Sequence, residues 1–283
     1  MDFELTEQQG SIKEAVREVC KKYPDSYWRN LDSHNGYPTD FVRELTELGW
    51  LSILIPEEYG GAGLGITEAS IVIEEINRSG GNGTSCHAQM YTMGTLLRHG
   101  NTKQKERYLP EIAAGRLAFQ AFAVTEPDAG SDTTSIKTTA VRKGDKYILN
   151  GQKIFTSRVE QSDLMMLLAR TTPLEDVQKK TDGLSVFLVD LNEAGDSVQS
   201  QPINIMFNHH TNTVFIEDLE IQSENLIGKE NEGFKHIIDS WNPERILIAA
   251  EAIGDAKWFI DKSVEYANKR IVFDRPIGAN QGV

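Results

Sequence analysis

Between residues 121 and 135 an apolar run, Ala121-Phe122-Ala123-Val124, breaks at Thr125 into a loop of small and polar residues. Phe122 to Val124 suit a buried strand, after which Thr125, Gly130 and Ser131 offer hydroxyls and backbone N–H groups to a flat heteroaromatic ring or a phosphate. Gly130 permits close backbone approach. Pro127, Asp128 and Gly130 are also common turn residues, and on these residues alone an ordinary strand-to-loop turn is the better reading. A second candidate is Asn242-Pro243-Glu244-Arg245. Asn242 reads as an N-cap and Pro243 as a first helical residue, which puts Glu244 in the first turn of a helix beginning near residue 243. The helix dipole favours a glutamate there whether or not it does chemistry. Lys269, Arg270 and Arg275 read as a basic helix end in solvent. His209, His210 and the isolated His87 suggest a metal, but adjacent strand residues face opposite ways and no Cys or carboxylate supplies a fixed spacing, so no metal is expected. The cluster Gly60-Gly61-Ala62-Gly63-Leu64-Gly65 lacks the Gly-Lys-Ser/Thr of a phosphate loop and reads as a turn.

The elements that must position these residues change type twice. Thr6 with Gln9 forms a capping box ahead of Ile12, Ala15, Val16 and Val19 at helical spacing. Residues 41–50 make a second amphipathic segment, ending before Pro56. Thr67 reads as the N-cap of a buried helix over 69–76 that closes near Gly80, followed by helices at 91–99 and at 102–115, the last interrupted by Pro110. From Phe119 the period shortens. Runs at 136–141, 147–149 and 152–155 are rich in β-branched and aromatic residues; Lys143-Gly144-Asp145 and Asn150-Gly151 join them, the second as a type I′ hairpin signal. Runs at 164–169, 184–189 and 213–216 extend an antiparallel sheet, and seven or so strands imply a barrel or sandwich. Residues 225–234 return the chain to helix. The expected fold is α+β and multidomain: an all-α domain over 1–118, a β-barrel or sandwich over 119–225, and the start of a C-terminal helical bundle over 226–283.

The 283 residues suffice for about two domains or one with insertions, and 39% hydrophobic residues allow a sizeable core. A net charge of −13 argues against nucleic acid or an anionic membrane as a main partner, both being polyanions. Cys20 and Cys86 are the only cysteines, which excludes a disulfide framework and fits a reducing compartment. The acidic N-terminus has neither an apolar core nor an Arg-rich transit character, and no run approaches the ~18 apolar residues of a membrane span. A bacterial cytoplasm is expected, or a mitochondrial matrix for a processed eukaryotic protein.

The run Val124-Thr125-Glu126-Pro127-x-Ala129-Gly130-Ser131-Asp132 resembles the flavin-binding signature of the acyl-CoA dehydrogenase family at each defining position. Ile55-Pro56-Glu57-Glu58-Tyr59-Gly60-Gly61, Asn150-Gly151-Gln152-Lys153, Asn225-Leu226-Ile227-Gly228 and Arg270-x-x-Phe273 look like further family landmarks in family order. The chain stops short of the family's usual extent, before the remaining C-terminal helices, and so resembles a truncated member. The resemblance implies FAD as cofactor and dehydrogenation of an acyl-CoA to the trans-2-enoyl thioester, as in the β-oxidation of fatty acids. It implies electron-transferring flavoprotein as acceptor and a homotetramer as the assembly.

Residue by residue, the resemblance places Phe122, Val124, Thr125, Gly130 and Ser131 along the isoalloxazine, Ser131 also approaching the CoA thioester. A second flavin segment would contribute Phe155, Thr156 and Ser157; Phe and Ser replace the commoner Trp and Thr but keep an aromatic face and a hydroxyl. Arg270, Val272, Phe273 and Gln281 match positions that reach the FAD of a neighbouring subunit, Arg270 suiting the pyrophosphate. Asp274 stands where Gly is usual. Glu244 matches the catalytic base of one group of family members, with Asn242 and Arg245 near the substrate; other members take their base from a later segment. Two alternatives stay open at this point, a flavin oxidase or monooxygenase of the same fold and a non-catalytic acyl-CoA-binding scaffold.

Overall fold

Thr6 starts the first helix as its capping box requires: its hydroxyl accepts the Gln9 N–H at 3.2 Å, and the Gln9 side chain accepts the Thr6 N–H at 3.1 Å. The computed structural model describes residues 4–282; residues 1–3, part of the stretch read for targeting character, and Val283 lie outside the described residues. The N-terminal helices are α1 (Glu7–Cys20), α2 (Asp25–Ser33), α3 (Thr39–Glu47), α4 (Ile66–Arg78), α5 (Thr84–His99) and α6 (Thr102–Ala113). The N-cap of α4 is Gly65 and not Thr67, because the Glu68 carboxylate reaches back to the Gly65 N–H at 3.1 Å. The glycine cluster before it is a turn: a Cβ on Gly61 would lie 2.1 Å from the Ile55 carbonyl oxygen. Helix α5 starts seven residues earlier than its apolar run, at Thr84. Every residue from Ser85 to Leu96 is buried, so no polar face marks its period.

The middle segment holds β1 (Ala121–Ala123), β2 (Thr139–Lys143), β3 (Lys146–Ser157), β4 (Leu164–Arg170), β5 (Leu184–Asp190), the short helix α7 (Leu191–Ala194), β6 (Val198–Pro202), β7 (Thr211–Gln222) and β8 (Leu226–Ile227). They form one sheet in the order β6-β7-β3-β2-β4-β5-β8, with β1 beside β4. The path ends at β6 and β8 and does not close into a barrel. Nor is it wholly antiparallel, since β1 and β2 both run parallel to β4. The turn at Gly144-Asp145 joins β2 to β3 as expected. Asn150-Gly151 makes no hairpin; it lies inside β3, where the register against β7 shifts between Leu149 and Gly151. The physical reason is contact: a Cβ on Gly151 would lie 2.3 Å from the Thr138 hydroxyl, and Asn150 exchanges hydrogen bonds with Asp218. The Gly is there for a close approach at an irregularity in the ladder.

Helix α8 (Gly233–Lys269) runs unbroken for 37 residues with Pro243 inside it. Asn242 is therefore no N-cap and Glu244 is not in a first turn. Pro243 removes one backbone donor, yet packing on both sides holds the helix together. Before it, Ser240 bonds Thr95 of α5 at 2.7 Å; after it, Glu251 bonds His87 of α5 at 2.8 Å. The same contacts show that α5 and α8 are antiparallel. The core joins the layers: Leu96, Leu109 and Ile112 from the helices meet Leu164, Leu168 and Leu184 from the sheet and Ile237 of α8. After α8, β9 (Ile271–Val272) and β10 (Arg275–Pro276) form a hairpin whose turn residues Phe273 and Asp274 have φ of 50° and 60°. This left-handed backbone suits glycine, and aspartate tolerates it.

Candidate functional site

A cavity of about 500 Å³ opens where the loop after β1, the end of β3, α5 and α8 converge. Strand β1 contributes Phe122, the loop after it Val124, Thr125 and Gly130, and the end of β3 Phe155 and Ser157. Helix α5 presents Thr84, His87 and Tyr91; α8 presents Trp241, Glu244, Ile248 and Glu251. Each set recurs at three- and four-residue spacings, which keeps it on one helix face.

The two sheet segments are tied by one buried carboxylate. Glu126 accepts from the Lys137 and Thr138 N–H groups at 2.5 and 2.9 Å and from Lys153 Nζ at 2.8 Å. Lys153 also donates to the Val124 carbonyl at 3.0 Å, and the Ile154 N–H to that of Thr125 at 2.9 Å. Burial pushes the Lys153 amine down to about 8 against the pull of Glu126. Burial opposes ionisation of Glu126 too, but Lys153 and the backbone donors outweigh it and hold the carboxyl below its usual range.

Beyond Lys153 the strand loses its alternation. The register against β7 shifts between Lys153 and Thr156, and Phe155 and Arg158 take φ of 59° and 58°. Non-glycine residues in this region cost on the order of 1–3 kcal/mol each and persist where surrounding structure imposes them. The result is an aromatic ring 60% exposed at the cavity wall, with Ser157 two residues on also facing the cavity. Nothing lies within 4 Å of a Cβ built on Gly130. An open aromatic face, an unobstructed glycine and the walls at Thr125 and Ser157 fit a flat heteroaromatic ring such as isoalloxazine.

Burial pushes the Glu244 carboxyl up to about 7, partly offset by Arg245. Mid-helix, it lacks the dipole stabilisation of a first turn. Asn242 and Arg245 stand exposed outside the cavity lining; Arg245 donates to the Asn242 side chain at 3.0 Å and lies over the Trp241 ring. Ser131 is exposed and does not line the cavity. Thr156 is buried on the sheet side, 1% exposed. Arg270 caps the end of α8, Val272 and Phe273 lie on the exposed hairpin and Gln281 after it, with about 38 Å of helical rise between Glu244 and the end of α8. This chain therefore brings them nowhere near its own cavity.

Sequence reasoning passed over Thr84, Tyr91, Gln120, Trp241, Ile248 and the pair His87–Glu251, all of which line the cavity. Projecting α5 and α8 onto helical faces was the signal available: Glu244 and Glu251 are seven residues apart, as are Thr84 and Tyr91.

The descriptions Acyl-CoA dehydrogenase N-terminal domain, middle domain and C-terminal domain match residues 6–116, 121–218 and 231–283. An acyl-CoA dehydrogenase of Bacillus subtilis (strain 168) is 34% identical over 99% of this chain and 73% of its own length. A chain from the structure described as the electron transferring flavoprotein of Acidaminococcus fermentans superposes with a TM-score of 0.90 at 33% identity, covering 99% of this chain and 73% of the other. A chain from the structure described as PigA with FAD and proline gives 0.90 at 26% identity, covering 99% and 73%. Three domains in order, the flavin-signature loop on the cavity wall and a relative matched along nearly all of this sequence show that the chain belongs to the acyl-CoA dehydrogenase family.

Proposed function

We propose that the protein is an FAD-dependent acyl-CoA dehydrogenase that converts an acyl-CoA thioester to its trans-2-enoyl form and hands the electrons to an electron-transferring flavoprotein. The observation that carries the reading is Glu244: a carboxylate poised near neutrality by burial, in the cavity that the β1 loop and the end of β3 also line. When bound, FAD supplies the acceptor for the hydride leaving the β carbon. Thr125, Gly130, Phe155 and Ser157 would hold its ring, with Phe122 and Val124 as apolar wall. Ser131 and Thr156, adjoining those residues in sequence, are assigned to the same cofactor from outside the cavity lining. Glu244 would take the α proton, becoming neutral as the thioester loses it, and a group near pKa 7 is suited to that task. Water excluded from a half-apolar cavity strengthens this transfer. Asn242 and Arg245, outside the cavity lining, are assigned to the CoA moiety of the substrate.

Arg270, Val272, Phe273 and Gln281 are assigned to a neighbouring subunit's FAD, within a homotetramer. The exposed apolar residues Phe259, Ile260, Val264 and Phe273 support burial of this end of α8 against other chain. Cys20 and Cys86, both free and buried, support a reducing compartment such as a bacterial cytoplasm. Among the described residues no helix is long and apolar enough to cross a membrane.

The test is anaerobic titration of the FAD-loaded protein with acyl-CoA thioesters. Bleaching of the flavin, followed by recovery on adding an electron-transferring flavoprotein, is the expected result. A yellow protein that no thioester bleaches would overturn the dehydrogenase reading, and rapid reoxidation by air alone would assign the electrons to oxygen. Thr125→Ala and Ser157→Ala are expected to weaken flavin affinity with the fold intact; wild-type affinity in both would refute the placement of the ring.

A further inference from the structure

The end of the cavity farthest along α8 from Trp241 is polar, which a plain hydrocarbon tail does not require. Glu251 stands two helical turns beyond Glu244 on the same face, about 10 Å by helical rise. His87 of α5 meets it from across the groove, Nδ1 to Oε1 at 2.8 Å, with both side chains under a tenth exposed. That bond is the only side-chain hydrogen bond either makes among the described residues. His87 Nε2 and Glu251 Oε2 are therefore left without a protein partner, and both residues line the cavity.

The surroundings repeat the pattern. Thr84, also on the wall, accepts from Arg158 Nη2 at 2.8 Å. Arg158 is 1% exposed, and its Nε and Nη1 have no partner. Gln120 and His209 line the cavity as well, and Gln120 Oε1 and His209 Nδ1 are buried without a partner. Burial pushes His209 down to about 3, so it stands neutral. Arg158 and Glu251 carry opposite charges and interact, and Asp255, one turn beyond Glu251 on α8, interacts with Glu251 as well. The end of the cavity is thus rich in hydrogen-bonding groups.

Resting on the dehydrogenase reading above, we infer that His87 and Glu251 are specificity-determining residues for an acyl thioester whose chain carries an uncharged hydrogen-bonding substituent, a hydroxyl or a carboxamide, on the part distal to the thioester. Because Nδ1–H donates to the Glu251 carboxylate, Nε2 of the neutral imidazole is an acceptor: a hydroxyl donates to Glu251 Oε2 or to His87 Nε2, and a carboxamide NH2 donates to both, restoring bonds that a bare alkyl chain would strip away with the water. Leaving such groups buried and unpaired costs about 1–3 kcal/mol, which corresponds to roughly 5- to 150-fold in binding. A carboxylate or an ammonium on the chain would instead carry its own desolvation cost into a water-poor site, which an uncharged substituent does not.

The experiment uses FAD-loaded full-length protein with a length-matched series of CoA thioesters: n-alkanoyl, ω-hydroxyalkanoyl, ω-carboxyalkanoyl and ω-aminoalkanoyl, each at several chain lengths. Binding is read by calorimetry on Glu244→Gln, whose chemistry is disabled under the proposed mechanism, and turnover by flavin bleaching on the wild type. Expected is tighter binding of the ω-hydroxy member at the best length, by about tenfold or more over the alkanoyl thioester. The preference should be lost or reversed in His87→Phe/Glu251→Leu and kept in Glu251→Gln. Equal or better binding of the alkanoyl series overturns the inference, as does a preference for the carboxylate, which would point to Arg158, or for the amine, which would point to Glu251 alone. Because calorimetry needs no turnover, a hydroxyl preference without bleaching would refute the dehydrogenase reading and leave the subsite standing.

Discussion

Lys153 and Glu126 form an ion pair at 2.8 Å with side chains 0% and 5% exposed, and this pair joins the loop after β1 to the strand that ends in Phe155. Both stretches expected to hold the flavin are positioned from this one point. Removing one partner of a buried pair leaves an uncompensated charge, so Lys153→Met is expected to destabilise the fold by about 3–5 kcal/mol. Replacing both, Lys153→Met with Glu126→Leu, frees no charge but orphans the Lys137 and Thr138 N–H groups. The double variant should recover part of the loss in denaturant unfolding and still bind FAD weakly. A Lys153→Met protein with wild-type stability would contradict this role.

Gly151 tests the reading of β3. A Cβ there would lie 2.3 Å from Thr138 Oγ1 and 2.7 Å from its Cα, and a backbone contact cannot swing aside as a side chain can. Gly151→Ala is expected to cost about 1–3 kcal/mol by overpacking, in spite of the entropy alanine removes from the unfolded chain. Were Asn150-Gly151 a hairpin turn, the strain would arise from backbone conformation alone, and shortening Thr138 would not matter. Thermal melts of Gly151→Ala with and without Thr138→Gly separate the two.

The cavity's sheet side was legible through the resemblance of residues 124–132 to a flavin-binding signature; the residues alone read as an ordinary strand-to-loop turn. The helix side was less so. Asn242-Pro243 carries the signature of a helix start, yet tertiary contacts through Ser240 and Glu251 carry α8 straight through it. Helix α5 hides its beginning because it is buried all round, so Thr84 and His87 sit in a stretch with no visible period. Thr67 lost its capping role to Gly65, since Glu68 supplies the bond from the other direction. The order of helical, β and helical segments was readable from the change of hydrophobic period at Phe119 and of composition near 225–234. The open sheet path and its parallel neighbours were not, because strand pairing depends on contacts far apart in sequence.

The Glu244 carboxyl stands at about 7, above its ordinary value, with burial as the main cause. As a base it must be ionised, so the flavin-bleaching rate at sub-saturating thioester, which reports the free protein, is expected to rise with pH, reach half its plateau near 7 and stay level above it. Stability moves the other way. The folded state holds this proton more tightly than the unfolded chain, so its contribution is complete below the unfolded value and is lost as pH rises through about 7. Glu244→Gln should therefore gain on the wild type between pH 5 and 8 in melting temperature, by an amount bounded at about 3 kcal/mol. A pH-independent difference between the two would show that the carboxyl titrates normally.

Removal of the α proton by Glu244 is tested most directly by anaerobic stopped-flow mixing of FAD-loaded Glu244→Gln with acyl-CoA. Glutamine keeps the size and much of the hydrogen bonding but cannot accept the proton. The expected result is a yellow protein that binds the thioester as the wild type does and bleaches about 10²- to 10⁴-fold more slowly. Bleaching at near the wild-type rate would contradict it and remove Glu244 from the reaction.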